Sequence, residues 1–409
     1  MSDYYDVLVV GGGIQGAGVA QAAAAAGYSV LLLEKTEIAG ATSSKSSKLI
    51  HGGLRYLETG QFKLVRECLR EQAILLKIAP DLVKLVRFHI PIYKKTRRSC
   101  WHIRLGLGLY HALTGFRRNA RPGLVKAQDW SKLDGIETDE LKSVHYYADA
   151  QTDDKLLTQA VIQSARSLDA KVLVPATFVA AQVTDEGCDV NYTYEGENRN
   201  CRAGVVINAA GPWVNDIAKK ISPTPPRQDI DLVAGTHIIV EGTVGSGIYY
   251  LEAPRDGRAV FVMPWFGKTM VGTTERTHRD LPHLVRPTQS EKVYLLNVLK
   301  HYFPSHKETT VADIVDAFSG LRVLPKGGKH AFHRSRDVIY KTYPERQPRV
   351  VSIYGGKLTA YRATALDVMK QVDAILPERQ KRGNTATLPL TVPTEESPLM
   401  EKAKRAGSA

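Results

Sequence analysis

Tyr5-Asp-Val-Leu-Val-Val10, followed by Gly11-Gly-Gly-Ile-Gln-Gly16, is the stretch whose reading decides the fold. The first six residues are apolar enough for a buried parallel strand. The glycine turn leads into a helix that runs to about Ala26, and Gly27 stops it. Ser29-Val-Leu-Leu-Leu33 then reads as a second strand, with Glu34 at its tip, 18 positions after Gly16. Strand, glycine turn, helix and strand in that order form a dinucleotide-binding βαβ unit. Gly11 allows the tight turn, Gly13 lets a pyrophosphate approach the backbone, and Gly16 lets helix and strand pack closely. An acid about 20 residues on suits a ribose hydroxyl. A lone GxGxxG is weak, but both strands, the helix stop and the acid are all present. The implied ligand is an adenine dinucleotide, and Glu34 disfavours a 2′-phosphate, which leaves NAD or FAD.

A chain of 409 residues can bury a large core and is expected to form two interleaved domains. Hydrophobic residues at 43% and charged ones at 24% place it among folded globular proteins, which confines expected disorder to the tail. The first strand begins within five residues of Met1, with no basic-then-apolar leader. No apolar run reaches the roughly 18 residues of a spanning helix. The expectation is a cytoplasmic protein. Cys68, Cys100, Cys188 and Cys201 match neither a metal site nor a CxxC pair, so reduced structural thiols and no metal are expected.

The net charge of +13 is concentrated. Between Leu82 and Gln128 there are eleven Lys or Arg and no Asp or Glu. Within this segment Cys100–Leu113 reads as a helix with Trp101, Ile103, Leu105, Leu107, Leu109 and Leu113 on nearly all sides, too short to span a bilayer. Flanked by Lys94, Lys95, Arg97 and Arg98 on one side and Arg117, Arg118 and Arg121 on the other, it suits an element dipped into an anionic membrane surface. A core helix with solvated basic flanks fits these residues equally well. Nucleic acid is not expected, because its sites interleave cations with polar and aromatic residues rather than leucines.

Elsewhere, Ala41–Ser47 is too serine-rich for a core element and reads, with Gly52-Gly53, as a loop wrapped round a ligand at the carboxyl edge of the sheet. Phe62, Val65, Leu69 and Leu76 mark an amphipathic scaffold helix that Pro80 ends. A helix from Leu156 to Leu168, a strand at 171–174 and a meander to about Ala203 follow, and Val205–Gly211 is read as a separate strand ending near the cofactor. Thr236–Val240, Ala259–Met263 and Met270–Thr274 suggest a second, mainly antiparallel sheet. Thr288 and Glu291 form a capping box for a helix towards Tyr302. Arg349–Ile353 runs into Gly355-Gly356 and a helix, a junction like the first. Beyond Glu378, prolines and charges suggest a loose tail.

Thr42-Ser-Ser, Ser46-Ser-Lys-Leu-Ile-His-Gly-Gly-Leu-Arg-Tyr-Leu-Glu58, Val206-Ile-Asn-Ala-Ala-Gly-Pro-Trp213, Gly235-Thr-His237, Phe261-Val-Met-Pro-Trp265, Gly272-Thr-Thr274, Phe318-Ser-Gly-Leu-Arg322 and Tyr354-Gly-Gly-Lys-Leu-Thr-Ala-Tyr-Arg362 together carry a family resemblance. They resemble FAD-dependent, aerobic-type glycerol-3-phosphate dehydrogenase, from Met1 to about Val368. The resemblance implies an α/β fold: an FAD-binding Rossmann-like domain of the glutathione-reductase and D-amino-acid-oxidase type, interleaved with an α+β substrate domain on an antiparallel sheet. The expected boundaries are 1–80, 145–225 and 315–375 for the FAD-binding domain, 81–144 and 226–314 for the substrate and membrane-facing domain, and 379–409 for the tail. Two departures stand out. The sequence ends without the family's C-terminal helical domain, and Arg322-Val323-Leu324 replaces the usual Arg-Pro-Leu.

The resemblance further implies noncovalent FAD, oxidation of sn-glycerol 3-phosphate to dihydroxyacetone phosphate, a membrane quinone as acceptor, and peripheral attachment to the inner face of the cell membrane. A homodimer is left open. Cofactor contacts are expected at Gly11, Gly13, Ile14, Gly16, Glu34, Thr42, Ser43, Ser44, Lys48, Leu49, His51, Gly52, Gly53, Ala210, Gly211, Trp213, Gly355, Gly356, Leu358 and Thr359. Gly355-Gly356 is taken as a helix start aimed at the flavin. Arg55, Tyr56, His237, Arg322 and Lys357 are the expected substrate residues, because forked and point cations suit a phosphate dianion. The catalytic set is His237, Lys357 and Arg322, with His237 favoured as base and His51 and Lys357 as alternatives. An amine or amino-acid oxidase of the same fold, and a non-catalytic membrane- or nucleic-acid-binding protein, are the rival readings.

Overall fold

The computed structural model describes residues 3–327 and 337–392. Its helices are α1 (Ile14–Ala25), α2 (Phe62–Ile78), α3 (Cys100–Leu113), α4 (Asp154–Arg166), α5 (Val214–Ala218), α6 (Gln289–Tyr302) and α7 (Tyr361–Val372). They pack on two large sheets.

The strand Asp3–Val10 is the centre of the first sheet. Parallel to it run Val30–Leu33 on one side and the second half of Glu197–Asn208 on the other. Lys171–Leu173 and Val350–Tyr354 extend the sheet outward in the same direction. Side chains alternate between two cores. Val7 and Val9 join α1, α4 and α7, whereas Leu8 and Val10 meet Phe178, Val190 and Tyr192 of an antiparallel meander. Burial on both faces is why these strands read as unbroken apolar runs rather than as alternating ones. Glu197–Asn208 is one continuous strand, antiparallel to Gly187–Tyr194 over Glu197–Ala203 and parallel to Asp3–Val10 from Cys201 onward. The sequence reading had divided it near Ala203. At Gly204 an added Cβ would lie 2.8 Å from the Asp6 carbonyl, so the break in apolar character marks a close approach and not a strand end.

Among the described residues the second sheet has ten strands, and it is largely antiparallel. Its longest ladders join Val83–Tyr93 to Leu141–Thr152 and Ile230–Val240 to Ile314–Pro325. Three segments that the expected boundaries gave to the FAD-binding domain, 49–50, 145–152 and 315–325, lie in this sheet. None had a pattern strong enough to overrule a boundary drawn from motifs. α6 covers one face with Leu295, Leu296 and Leu299, and its Thr288–Glu291 capping box is formed. α2 and α3 cover the other with Val65, Leu69, Ile103, Leu107 and Tyr110.

α3 has the expected bounds but not the all-round character. Ile103, Leu107 and Tyr110 are buried, while Trp101, Leu105 and Leu109 form an exposed ridge at four-residue spacing. Residues 379–392, expected as part of a loose tail, are anchored at several points, with Thr385 and Leu390 buried and most of the others exposed. Arg379 pairs with Asp6, Arg382 with Asp169, and the Leu390 N–H donates to the Ile78 carbonyl. Residues 393–409 lie outside the described residues.

Candidate active site

The first glycine turn has the form its sequence requires. Gly11 has φ +109°, and an added Cβ would stand 2.7 Å from the Ala209 carbonyl. At Gly16 it would stand 1.9 Å from the Gly11 carbonyl, so α1 can lie on the turn only because this residue has no side chain. Gly13 caps α1 in extended conformation, and the next amide, Ile14, donates to Ser43 Oγ at 2.9 Å. Glu34 accepts from the Gly12 N–H at 2.7 Å and from the Thr36 N–H at 2.8 Å, which fixes the carboxylate at the tip of its strand. Gln15 Oε1 is buried without a partner, although Gln15 Nε2 donates to the Lys357 carbonyl. A glycine turn without side chains at a helix start, an acid at the tip of the next strand and an orphaned acceptor beside the turn fit a dinucleotide.

A second wall comes from residues 42–53. Thr42 Oγ1 donates to the Leu321 carbonyl and Ser44 Oγ to that of Ala41, which ties this loop to the second sheet. Lys48 is buried. Its ammonium donates to Asp154 at 2.5 Å and to the Ser44 carbonyl at 2.6 Å, and lies over the Trp265 and Phe318 rings. That charge is committed to the protein, and so are the Lys48 backbone groups: the N–H donates to Ser46 Oγ at 3.1 Å and the carbonyl accepts from the Thr152 N–H at 2.9 Å. Leu49 pairs with Gln151, and the His51 N–H donates to Thr359 Oγ1 at 3.1 Å.

The third wall brackets the ends of two parallel strands. Asn208 Nδ2 donates to the Val214 carbonyl and to Ser352 Oγ, and Ala210, Gly211 and Trp213 follow it in a tight turn. Gly355 and Gly356 both have positive φ and form a loop; α7 begins only at Tyr361. The expected helix start at this glycine pair is thus displaced by five residues, and Leu358 and Thr359 bridge the gap. An added Cβ at Gly356 would be 2.6 Å from Gln15 Nε2, which brings this loop against the first turn.

The expected substrate residues gather in two groups, joined along the chain by 47–53. In one, the Lys357 ammonium is 3.9 Å from the Tyr56 ring centroid and 3.8 Å from Cys68 Sγ, and the Arg55 guanidinium is 5.6 Å from the same ring. Burial pushes the Cys68 thiol up to about 11, so it stays protonated beside the lysine. In the other group His237 is buried and stacked on Phe318, its Nε2 is 3.0 Å from Ser47 Oγ, and its Nδ1 has no partner. Burial first, and then the charges of Arg322 and Lys48, hold this imidazole well below its ordinary range, so it is neutral. Arg322 shares its face of the sheet and donates to Thr273 Oγ1 at 3.0 Å. Gly235 makes room for it, since an added Cβ would be 2.6 Å from Nη2.

Several residues here escaped the sequence reading. Ser47, Thr273 and Gly235 lie inside the family motifs given above but carry no role there. α2, read as scaffold only, contributes Cys68, and its Glu71 binds Arg362 of α7 in a buried two-pronged ion pair. Among the described residues no cluster of metal-ligating side chains occurs.

A family model described as FAD dependent oxidoreductase matches residues 6–362. Among curated relatives, the D-erythritol 1-phosphate dehydrogenase of Brucella abortus is 34% identical over 91% of this chain and 74% of its own length. The aerobic glycerol-3-phosphate dehydrogenase of Escherichia coli is 35% identical over 90% and 73%. Among solved structures, the glycerol-3-phosphate dehydrogenase of Bacillus halodurans complexed with FAD has a TM-score of 0.74 at 25% identity, covering 99% of this chain and 72% of that one.

Proposed function

The chain belongs to the FAD dependent oxidoreductase family, its cofactor is FAD, and from that premise we propose that it oxidises sn-glycerol 3-phosphate to dihydroxyacetone phosphate and passes the electrons to a membrane quinone. The observation that carries the reading is His237: a buried, neutral imidazole with an uncommitted Nδ1, on the same sheet face as Arg322.

Bound FAD supplies the two-electron acceptor for the hydrogen on the carbon that bears the hydroxyl. The chain does the rest. Gly11–Gly16 and Glu34 would hold the cofactor's pyrophosphate and ribose, and the loops 42–53, 210–213 and 355–359 would supply the contacts to its ring system. Arg322, Lys357 and Arg55 clamp the phosphate dianion, and Tyr56 orients Lys357 through its ring face. His237 Nδ1 accepts the proton of the C2 hydroxyl. A cationic field disfavours a charged imidazole, and the arriving dianion offsets that field, so the base becomes effective only with substrate bound.

The 34–35% identity to two polyol-phosphate dehydrogenases favours a phosphate ester over an amine. The Brucella relative supports a second reading, a four-carbon polyol phosphate. Anaerobic mixing of the purified yellow protein with each compound decides the substrate. Bleaching by sn-glycerol 3-phosphate, re-oxidised by a soluble quinone, is expected. Bleaching only by D-erythritol 1-phosphate selects the second reading, and bleaching only by glycine or sarcosine selects an amine oxidase.

Peripheral membrane attachment is supported by α3. Trp101, Leu105 and Leu109 are exposed on it, Phe116 follows, and the exposed cations Lys94, Lys95, Arg97, Arg104, Arg118 and Arg121 lie within or beside it along the chain. Among the described residues no helix is long and apolar enough to cross a membrane.

A further inference from the structure

Behind the loop His51–Gly53 lies a polar network that no step above uses. The Gly52 N–H donates to the Tyr110 hydroxyl at 2.8 Å, and that hydroxyl donates to Asp149 Oδ2 at 2.7 Å. Gln72 Nε2 donates to Asp149 Oδ1 at 2.6 Å and to the Ile50 carbonyl at 2.9 Å. Asp149, Gln72 and Tyr110 come from a strand of the second sheet, α2 and α3, and all three are buried. Arg117 reaches Gln72 Oε1 at 3.4 Å.

We infer that Asp149 is a positioning residue of the redox site, holding Gly52 through Tyr110 and Ile50 through Gln72 so that the loop 50–53 is fixed from behind. The inference rests on the reading that this loop faces FAD. Three observations carry it. First, the bonds run to the loop's own backbone on both sides of His51, so they set its path and not merely the packing of helices. Second, Gly52 is shaped to the network: an added Cβ would be 2.5 Å from the Tyr110 oxygen and 2.7 Å from Leu69. Third, the front of the same loop is tied to the expected substrate residues. His51 is bonded to Thr359, and Gly53, at φ +79°, lies beneath the Tyr56 ring that carries Lys357.

A buried carboxylate is a costly way to join two helices to a strand, since apolar side chains of similar volume would do so without desolvating a charge. Its merit is directional. One acceptor with two oxygens orients both the tyrosine hydroxyl and the glutamine amide, and each of these fixes one backbone group of the loop. Asp149 touches no reacting group in this arrangement. It acts through Tyr110 and Gln72.

The test compares FAD-loaded full-length wild type with Tyr110→Phe and Gln72→Met. Y110F removes one oxygen and leaves the ring packed edge-on against Tyr147. Three quantities are read: amide exchange of the peptide containing residues 50–53, the visible circular dichroism of the flavin, and the rate of anaerobic flavin reduction by sn-glycerol 3-phosphate. Each variant is expected to accelerate exchange at least tenfold, alter the flavin dichroism and slow reduction about tenfold while retaining FAD. If both variants melt earlier yet leave exchange and dichroism at wild-type values, the network is only a prop and the inference is wrong. Exchange can also be read without flavin or substrate. A wild type that is colourless or unreactive overturns the functional reading, whereas unchanged exchange in both variants overturns this one. If Y110F does not fold, Q72M carries the same test through Ile50.

Discussion

The Lys357 ammonium lies 3.9 Å from the centre of the Tyr56 ring, and that ring closes over Gly53, where an added Cβ would be 2.3 Å from it. One aromatic side chain thus sets both the path of the loop and the place of a cation proposed for the phosphate. Tyr56→Phe keeps the ring face and should change KM for sn-glycerol 3-phosphate by less than about threefold. Tyr56→Leu removes a cation–π contact of about 0.5–2 kcal/mol and should raise KM by roughly two- to thirtyfold. Steady-state kinetics on the two variants compares these; equal effects would show that the ring does not steer Lys357.

Gly235 provides a test of Arg322 that leaves the arginine in place. A methyl group at Gly235 would meet Nη2 at 2.6 Å and must displace the guanidinium. Gly235→Ala and Arg322→Ala should therefore share a phenotype, with FAD retained and KM raised roughly tenfold or more, as expected for loss of a charge-assisted contact of about 1.5–3 kcal/mol. An unchanged KM in both variants would remove Arg322 from the phosphate clamp.

Much of this site was legible in sequence, and the reason is physical. The turn at Gly11–Gly16 and the acid at Glu34 are largely local devices, since Gly16 clears the Gly11 carbonyl and Glu34 is held by the Gly12 and Thr36 amides; only the approach of Ala209 to Gly11 and of Ser43 to Ile14 comes from outside the unit. The Thr288–Glu291 capping box is equally local. What could not be read depended on contacts between distant segments. Val83–Tyr93 becomes a strand by pairing with Leu141–Thr152, and its apolar residues gave no such partner in advance. The exposed ridge of α3 was hidden because which of several apolar faces is buried depends on what packs there. Asp149, Tyr110 and Gln72 are far apart in the chain and meet only through tertiary packing, leaving Gly52 as the sole local trace.

His237 should leave a mark on acid stability. Its folded-state pKa is held well below the usual imidazole value, so between those two values the unfolded chain binds the extra proton. The stability contribution is fully present above about pH 6.5 and is lost as pH falls towards the folded value. His237→Gln, which cannot titrate, should lose less stability than wild type between about pH 6.5 and 5. Melting temperatures measured across that range check this, and parallel curves would mean that the imidazole is not buried neutral.

Asp149 predicts the opposite slope. Burial pushes its carboxyl up to about 7 against the lowering influence of Tyr110, Gln72, the Gly52 amide and Arg117, whereas in the unfolded chain it titrates near 3.8. The folded protein therefore binds more protons between these values, and this group's contribution to stability declines as pH rises from about 4 to 7. The wild-type-minus-Asp149→Asn difference in melting temperature should fall over that window and level off above it. A flat difference would show that Asp149 is ionised throughout.

The last prediction concerns the basic segment, where the fold changes which charges are useful. Arg98 is not a free surface cation. It binds Glu58 through two nitrogens and Glu252 through a third, and so ties the end of the 54–57 turn to the second sheet. Replacing it would disturb Arg55 and Tyr56 next door and confuse a membrane assay with a site defect. Lys94 and Lys95 are exposed and reach Glu140 only at 3.9 and 3.8 Å, contacts too loose to neutralise them. Together with Arg104, Arg118 and Arg121 they are exposed within or beside the helix that carries the Trp101–Leu105–Leu109 ridge. At about 1 kcal/mol for each basic group near an anionic surface, changing these five to Gln should weaken vesicle binding by roughly four thousandfold. Trp101→Ser with Leu105→Ser removes the apolar part and should leave weaker binding that salt abolishes completely. Sedimentation with anionic vesicles at low and high salt separates these outcomes, and visible flavin in every variant confirms that the site is intact. Equal binding by the wild type and the five-charge variant, or no binding by the wild type at low salt, would take the membrane role away from this helix.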